Sequence, residues 1–185
     1  MVTKEKALEL LHSKIHSQNL RKHCYSVGAV MRALAKHFKE DGDTWEIAGL
    51  VHDIDYEMFP DTHPINGLKI LKEENFSIEI INAVAAHGWG YREGLPKPKN
   101  NFEWSLYCCD ELTGLIVACA LVRPDKSLAS VDVGAIQRKW KQKSFAAGVD
   151  RKQIENCEKE LNVPLKEFIQ ISLTAMQGIS KELEL

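Results

Sequence analysis

His52 and Asp53 stand side by side in this sequence, with single histidines at His23, His63 and His87 and an aspartate at Asp110. Each falls at or near a run of apolar residues with helical spacing, where an unpaired ionisable side chain is costly. Imidazole and carboxylate suit borderline divalent ions, so these residue types point to a transition-metal site, and to a hydrolytic one. Adjacent residues on a helix diverge by roughly 100°. His52 and Asp53 therefore share an ion only near a helix end, or with the carboxylate reaching across. A carboxylate can also bridge two ions through its two oxygens. This suggests one metal held by His23, His52, Asp53 and Asp110, and a second by Asp53, His63 and His87. Ions sharing such a bridge lie about 3.5–4 Å apart, activate a water and clamp a phosphoryl oxygen. The expected reaction is attack on a phosphoester.

Each residue also has a plain alternative. His23 could be a boundary histidine, His87 a charge at a helix C-terminus, His63 a turn residue before Pro64, Asp110 a part-exposed helix charge and Asp53 a local cap. Taken together, these would be several independent accidents in one chain. The spacing of His12 and His16 puts them on one helical face, but no carboxylate accompanies them; with His37 they read as surface residues. Asp53, Asp55 and Glu57 begin like a calcium loop, but Met58 and Pro64 occupy the positions that need glycine and glutamate. There is no HExxH, GxSxG, phosphate-binding Walker loop or dinucleotide GxGxxG.

The elements that must position these groups read as helices. Leu20, Cys24, Val27, Met31, Leu34 and Phe38 repeat at three or four residues over 19–38, with His23 beside the stripe. Asp43 or Thr44 is expected to cap a short helix carrying Ile47, Leu50, Val51 and Ile54. Ser77 opens a helix whose stripe ends at His87, with Gly88 as its stop. A long helix over about 102–122 places Leu106, Asp110, Thr113 and Val117 on one face. Asp150 caps a helix to 161, and Pro164 starts the last one, to about 180. No segment alternates as a strand would. Stretches 55–64 and 88–101 are irregular. The expected fold is an all-α bundle with two functional loops.

Bulk properties narrow the class. A chain of 185 residues, 44% hydrophobic and 27% charged with net charge −2, is expected to form a single domain. Nothing in it marks a nucleic acid polymer as partner. The charged N-terminus lacks a leader-like apolar run, and the weakly polar stretch 112–122 is too short to span a bilayer, so no membrane association is expected. Five cysteines without a CxxC pair fit reduced thiols and a cytoplasmic location. A homo-oligomer is left open.

The segments NLRKHCYSVGAVMRALA, LVHDIDYE, THPINGLKIL, AVAAHG and YCCDELTGLI together resemble the HD-domain metal-dependent phosphohydrolases. The likeness covers about 20–120, and the tail, including KWKQKSFAAGVDR, resembles a small bacterial subgroup of HD proteins. It implies an HD-domain helical bundle with a metal-site core over about 20–120 and a helical extension over 121–185. It implies His23, His52, Asp53 and Asp110 as the minimal ligand set, with His63 and His87 where members holding two metals carry extra histidines. One departure matters. Many such members read HDIGK, whereas Asp55 and Tyr56 stand at the last two positions here, so another group must meet the substrate's charge.

Lys22, Arg123 and Lys139 are possible cations; Arg21, Arg92 and Lys143 are taken as the substrate-binding candidates. Trp89, Tyr91 and Trp104 could stack on a base. Asp53 orients and charge-balances the metals, while a free carboxylate such as Asp55, Glu57 or Glu111 shuttles the leaving-group proton. The resemblance implies a phosphohydrolase acting on a nucleotide or other small phosphorylated metabolite with one or two divalent ions (Fe, Mn, Zn, Ni or Co, with Mg possible). The competing expectation is a non-catalytic regulatory module binding metal or nucleotide in the same cavity; six intact ligands favour the enzyme.

Overall fold

The computed structural model describes residues 2–185. Among them are ten α-helices and no strand, only an isolated bridge between Trp89 and Arg92. The order is α1 (Lys4–Lys14), α2 (Gln18–Phe38), α3 (Gly42–Val51), α4 (Ile65–Glu73), α5 (Ile78–His87), α6 (Asn101–Leu121), α7 (Val133–Trp140), α8 (Arg151–Glu160), α9 (Leu165–Gly178) and α10 (Ser180–Leu183). The all-α expectation holds. Helices α1, α4, α7 and α10 were not foreseen. Because α1 ends at Lys14, His12 and His16 do not share a helical face, although both are exposed, as is His37.

Local chemistry sets the helix starts that matter for the site. Ser17 Oγ accepts the Leu20 N–H at the head of α2. At α3 the cap is Asp41 rather than Asp43 or Thr44: its two carboxylate oxygens take the N–H groups of both those residues. Asn100 and Glu103 form a reciprocal box at α6, with Asn100 Oδ1 accepting the Glu103 N–H and Glu103 Oε1 accepting from Asn100 Nδ2. Asp150 caps α8, as expected.

Helices α2 and α6 form the middle of the molecule. α3, α6 and α9 pack on α2, while α5 and α8 pack on α6. One hydrophobic cluster runs from Ala7 to Leu183 and includes Val27, Met31, Leu106, Leu112, Ile116 and Phe168. Burial of each large aliphatic or aromatic side chain stabilises by about 1.5–3 kcal/mol. Helix α6 is long and apolar enough by composition to cross a membrane, yet 67% of that stretch is buried in the protein. A helix covered by neighbours on most sides is apolar for that reason. Helices α2 and α3 touch backbone to backbone: a Cβ at Gly49 would stand 2.7 Å from the Gly28 backbone. This contact brings the end of α3, with His52, against His23 on α2.

Candidate metal centre

The end of α3 delivers His52 and Asp53. After Val51 the chain leaves the helix through successive turns, with the Tyr56 N–H bonded to the Asp53 carbonyl and the Phe59 N–H to that of Asp55. His52 is fully buried, and Asp53, His63 and His87 nearly so. Their burial is compatible with ionisable chemistry because each polar atom is engaged.

All four imidazoles are oriented through Nδ1. His52 Nδ1 donates to the Gly49 carbonyl at 2.8 Å, and His87 Nδ1 to the Val84 carbonyl at 2.5 Å. In both cases a histidine at a helix end folds back on the carbonyl three residues earlier. His63 Nδ1 donates to Asp55 Oδ1 at 2.7 Å. Thr113 gives its hydroxyl proton to the Asp110 carbonyl, so its oxygen is left to accept from His23 Nδ1 at 3.3 Å. With Nδ1 carrying the proton, each neutral ring presents an Nε2 lone pair to the centre.

These lone pairs face one another. His23 Nε2 lies 3.2 Å from His52 Nε2, and His63 Nε2 lies 3.0 Å from His87 Nε2. Asp110 Oδ1 is 3.0 Å from His23 Nε2 and 3.5 Å from His52 Nε2. Asp53 sits between the two pairs: Oδ2 is 3.6 Å from His23 Nε2, while Oδ1 is 3.5 Å from His52 Nε2, 3.3 Å from His63 Nε2 and 3.8 Å from His87 Nε2. Donors about 2.0–2.2 Å from an ion are separated by roughly 3–3.5 Å. Two adjoining groups therefore have the spacing of a coordination shell: His23, His52, Asp53 and Asp110, and Asp53, His63 and His87. Facing lone pairs without protons repel unless a cation lies between them, and this donor set fits one or two divalent ions.

The charges in the cluster adjust to one another. Burial opposes charging of His52, but the Asp53 and Asp110 carboxylates outweigh it and raise its pKa to about 9. Burial works against the charged forms of Asp53 and Asp110 too, yet the histidines around them hold both carboxyls well below the usual range. Without a metal, a proton on His52 thus stands where a cation would. Burial, with Asp53 and Asp110 adding to it, pushes the neighbouring Cys24 thiol up and keeps it protonated. All five cysteines are buried and free.

Other expected residues are placed differently. Asp55 is not a free carboxylate: it is fully buried, with Oδ1 on His63 and Oδ2 accepting the Gly67 N–H at 2.7 Å. A side chain at Gly67 would press on that carboxylate, so the glycine permits the contact. Glu57 caps the turn into α2 by accepting the His16 and Ser17 N–H groups. Glu111 does face the centre. It lines a cavity of about 220 Å³ with Asp53, Asp110, Tyr56, Tyr91 and Gln153, and its Oε2 accepts the Asp150 N–H. Burial, followed by the Asp110 charge, raises its pKa.

None of the three substrate-binding cations lines that cavity. Arg92 donates to the carbonyls of His63 and Asp61 and fastens the two loops together. Arg21 donates to the Ile15 and His12 carbonyls and closes the α1–α2 turn. Lys143 is exposed in the segment before α8. Trp89 and Trp104 pack edge to face with each other rather than standing free. Tyr56, Gln153 and the orienting role of Thr113 were not foreseen; Thr113 lies one helical turn from Asp110, which is the signal that could have found it. A cavity of about 420 Å³ between α2, α6 and α10 shares only His23 with the six donors.

Residues 20–111 match the family model of the HD domain, from the start of α2 to the residue after Asp110. The chain belongs to the HD-domain family. The match takes in all six of the candidate donors. The chain is also similar to proteins named ribonuclease Y: 34% identical over 76 residues in Chlorobaculum tepidum, 33% over 76 in Chlorobium chlorochromatii and 37% over 76 in Chlorobium phaeovibrioides. Each similarity covers 40% of this chain and 14% of the relative, so it spans a small part of those proteins.

Proposed function

We propose that this HD-domain protein is a metal-dependent phosphohydrolase acting on a small phosphorylated substrate. The observation that carries the reading is the convergence of four Nε2 atoms and two carboxylates on one centre at coordination spacing. When bound there, divalent ions would supply Lewis acidity and a water of lowered pKa for attack at phosphorus. Four imidazoles favour Mn, Fe, Co, Ni or Zn over Mg, which prefers oxygen ligands.

The chain's own residues do the rest. Asp53, with Oδ2 near His23 and Oδ1 near His52, His63 and His87, would serve both groups of donors. The Gly49, Val84, Asp55 and Thr113 oxygens hold the imidazoles in the tautomer that leaves Nε2 bare. Water oxygen bonds to phosphorus as the ester P–O bond breaks, and the leaving oxygen needs a proton. Glu111 would give it, since it lines the cavity beside Asp110. The products are inorganic phosphate and an alcohol or phenol.

The reading is tested by hydrolysis of a panel of nucleotides, sugar phosphates, aryl phosphates and a short RNA with Mn²⁺ or Fe²⁺ added. Turnover that appears with metal and vanishes with chelator supports it. The ribonuclease relatives make RNA the second bond class to include. Silence across the panel with metal loaded would contradict the reading and favour a metal-binding regulatory module.

A further inference from the structure

The cavity over the metal centre has an unusual electrical character for a phosphate site. Its lining carries Asp53, Asp110 and Glu111 and no lysine or arginine among the described residues. Three cations in nearby segments, Arg92, Lys97 and Lys22, are engaged elsewhere. Arg92 is held on backbone carbonyls, and Lys97 lies over the Trp89 and Trp104 rings and pairs with Glu160. Lys22 pairs with Glu184, away from this cavity. Two divalent ions set against two ligand carboxylates leave a surplus of about two positive charges. One phosphate balances that surplus. A second or third would stand in a confined space facing carboxylates, with nothing of opposite sign to meet it.

The lips of the cavity are aromatic. Tyr56 is 41% exposed and Tyr91 68% exposed, and both line the opening. The Tyr56 ring stands edge-on to His63 at 5.2 Å, and Tyr91 is set by a tight turn in which its N–H meets the Gly88 carbonyl. Exposed tyrosines offer large, fairly rigid apolar faces. Beside them, Gln153 donates through Nε2 to the Tyr107 carbonyl, which leaves its Oε1 to accept from a ligand. At about 220 Å³ the cavity is smaller than sites that enclose whole drug-sized ligands. It has room for a phosphate and the near part of the leaving group, with the remainder lying on the lips.

We propose that this opening selects phosphoesters that carry a single phosphate and no further anionic group, with an aromatic leaving group held against Tyr56 and Tyr91. The inference rests on the phosphohydrolase reading and deepens it. It places nucleoside polyphosphates and RNA outside the preferred substrates.

The test uses the full chain loaded with Mn²⁺, with free Mn²⁺ held constant because polyphosphates chelate it. kcat/KM is measured for phenyl phosphate, glycerol phosphate, a short RNA and adenosine mono-, di- and triphosphate, and inhibition constants for the non-hydrolysed ones. Adenosine monophosphate should exceed glycerol phosphate, which has the same kind of alkoxide leaving group, by about tenfold or more, the size of a base–aromatic contact. Each added phosphate should lower the value by about tenfold, following the charge argument. Tyr91→Ala should lower the adenosine monophosphate-to-glycerol phosphate ratio by about tenfold. Gln153→Lys, which adds a cation at the lip, should narrow the mono-to-triphosphate ratio by about tenfold. Metal content and circular dichroism of both variants confirm that they fold. Triphosphate or RNA turned over as well as the monophosphate would overturn the inference and leave the phosphohydrolase reading standing. Failure to hydrolyse any ester or to bind inorganic phosphate would overturn both.

Discussion

Asp55→Asn tests how the imidazoles are aimed. The native carboxylate accepts two hydrogen bonds in a fully buried place, from His63 Nδ1 and from the Gly67 N–H, each at 2.7 Å. An amide has one oxygen for two donors. If that oxygen keeps Gly67, the new NH₂ faces His63 Nδ1, and the ring is stabilised in the other tautomer with its proton on Nε2. The lone pair that faced His87 and Asp53 is then lost. The cost to folding is that of one unsatisfied buried group, about 1–3 kcal/mol. The cost to metal binding at the His63–His87 group should be about 10–100-fold in affinity, typical of losing a partner that orients a ligand. Binding at His23, His52, Asp53 and Asp110 should change far less. Calorimetric titration of metal-free protein with Mn²⁺ reads the two affinities separately. Equal affinities in variant and wild type would refute the claim that Asp55 sets the His63 tautomer.

Four further outcomes follow from the same geometry. His52 must shed a proton to bind metal, and since its pKa is raised to about 9, metal affinity measured by titration should rise up to about tenfold per pH unit below that point. The metal-free protein has its own pH window. The His52 contribution is complete below about 6.5 and is lost as pH rises through 9, while those of Asp53 and Asp110, held low, are present above about 3.8 and lost as pH falls. Melting in chelator should accordingly peak between about pH 4 and 6.5; a peak above pH 9 would contradict the assigned charges. Gly49→Ala places a methyl 2.7 Å from the Gly28 backbone, which should cost about 1–3 kcal/mol and lower Tm by several degrees; an unchanged Tm would show that α2 and α3 can separate freely. Glu111→Gln should slow alkyl phosphoesters by about 10²-fold or more while sparing nitrophenyl esters, whose leaving oxygen needs no proton; equal losses on both would remove Glu111 from the proton-transfer role.

Much of the fold was legible because the core helices are long and periodic. The stripe through Val27, Met31 and Leu34 and the capping aspartate at 150 both carry strong local signals. Helices α4 and α7 were not legible: each is short, and α4 opens at Pro64 inside a segment rich in turn residues, with only Gly67 and Leu71 buried. In the site, residue type was enough to nominate the six donors, but not to say which other charges are free. Asp55 looks like an available base until Gly67, on the next helix, is seen to occupy one oxygen. Arg92 follows His87 by five residues and donates to the His63 carbonyl. Its fork turns away because two irregular loops leave the His63 and Asp61 carbonyls in need of donors. Tyr56 occupies the place where a lysine was missed, and only the structure shows that an aromatic lip stands there instead.

The central claim is that Asp53 joins two cation sites built from four histidines and Asp110. Anomalous diffraction from crystals of the Mn²⁺-loaded protein tests it most directly. The account predicts two peaks about 3.5–4 Å apart, one between His23, His52 and Asp110 and one between His63 and His87, with an Asp53 oxygen facing each. No peak at these residues, or a lone peak that leaves Asp53 uncoordinated, would contradict it.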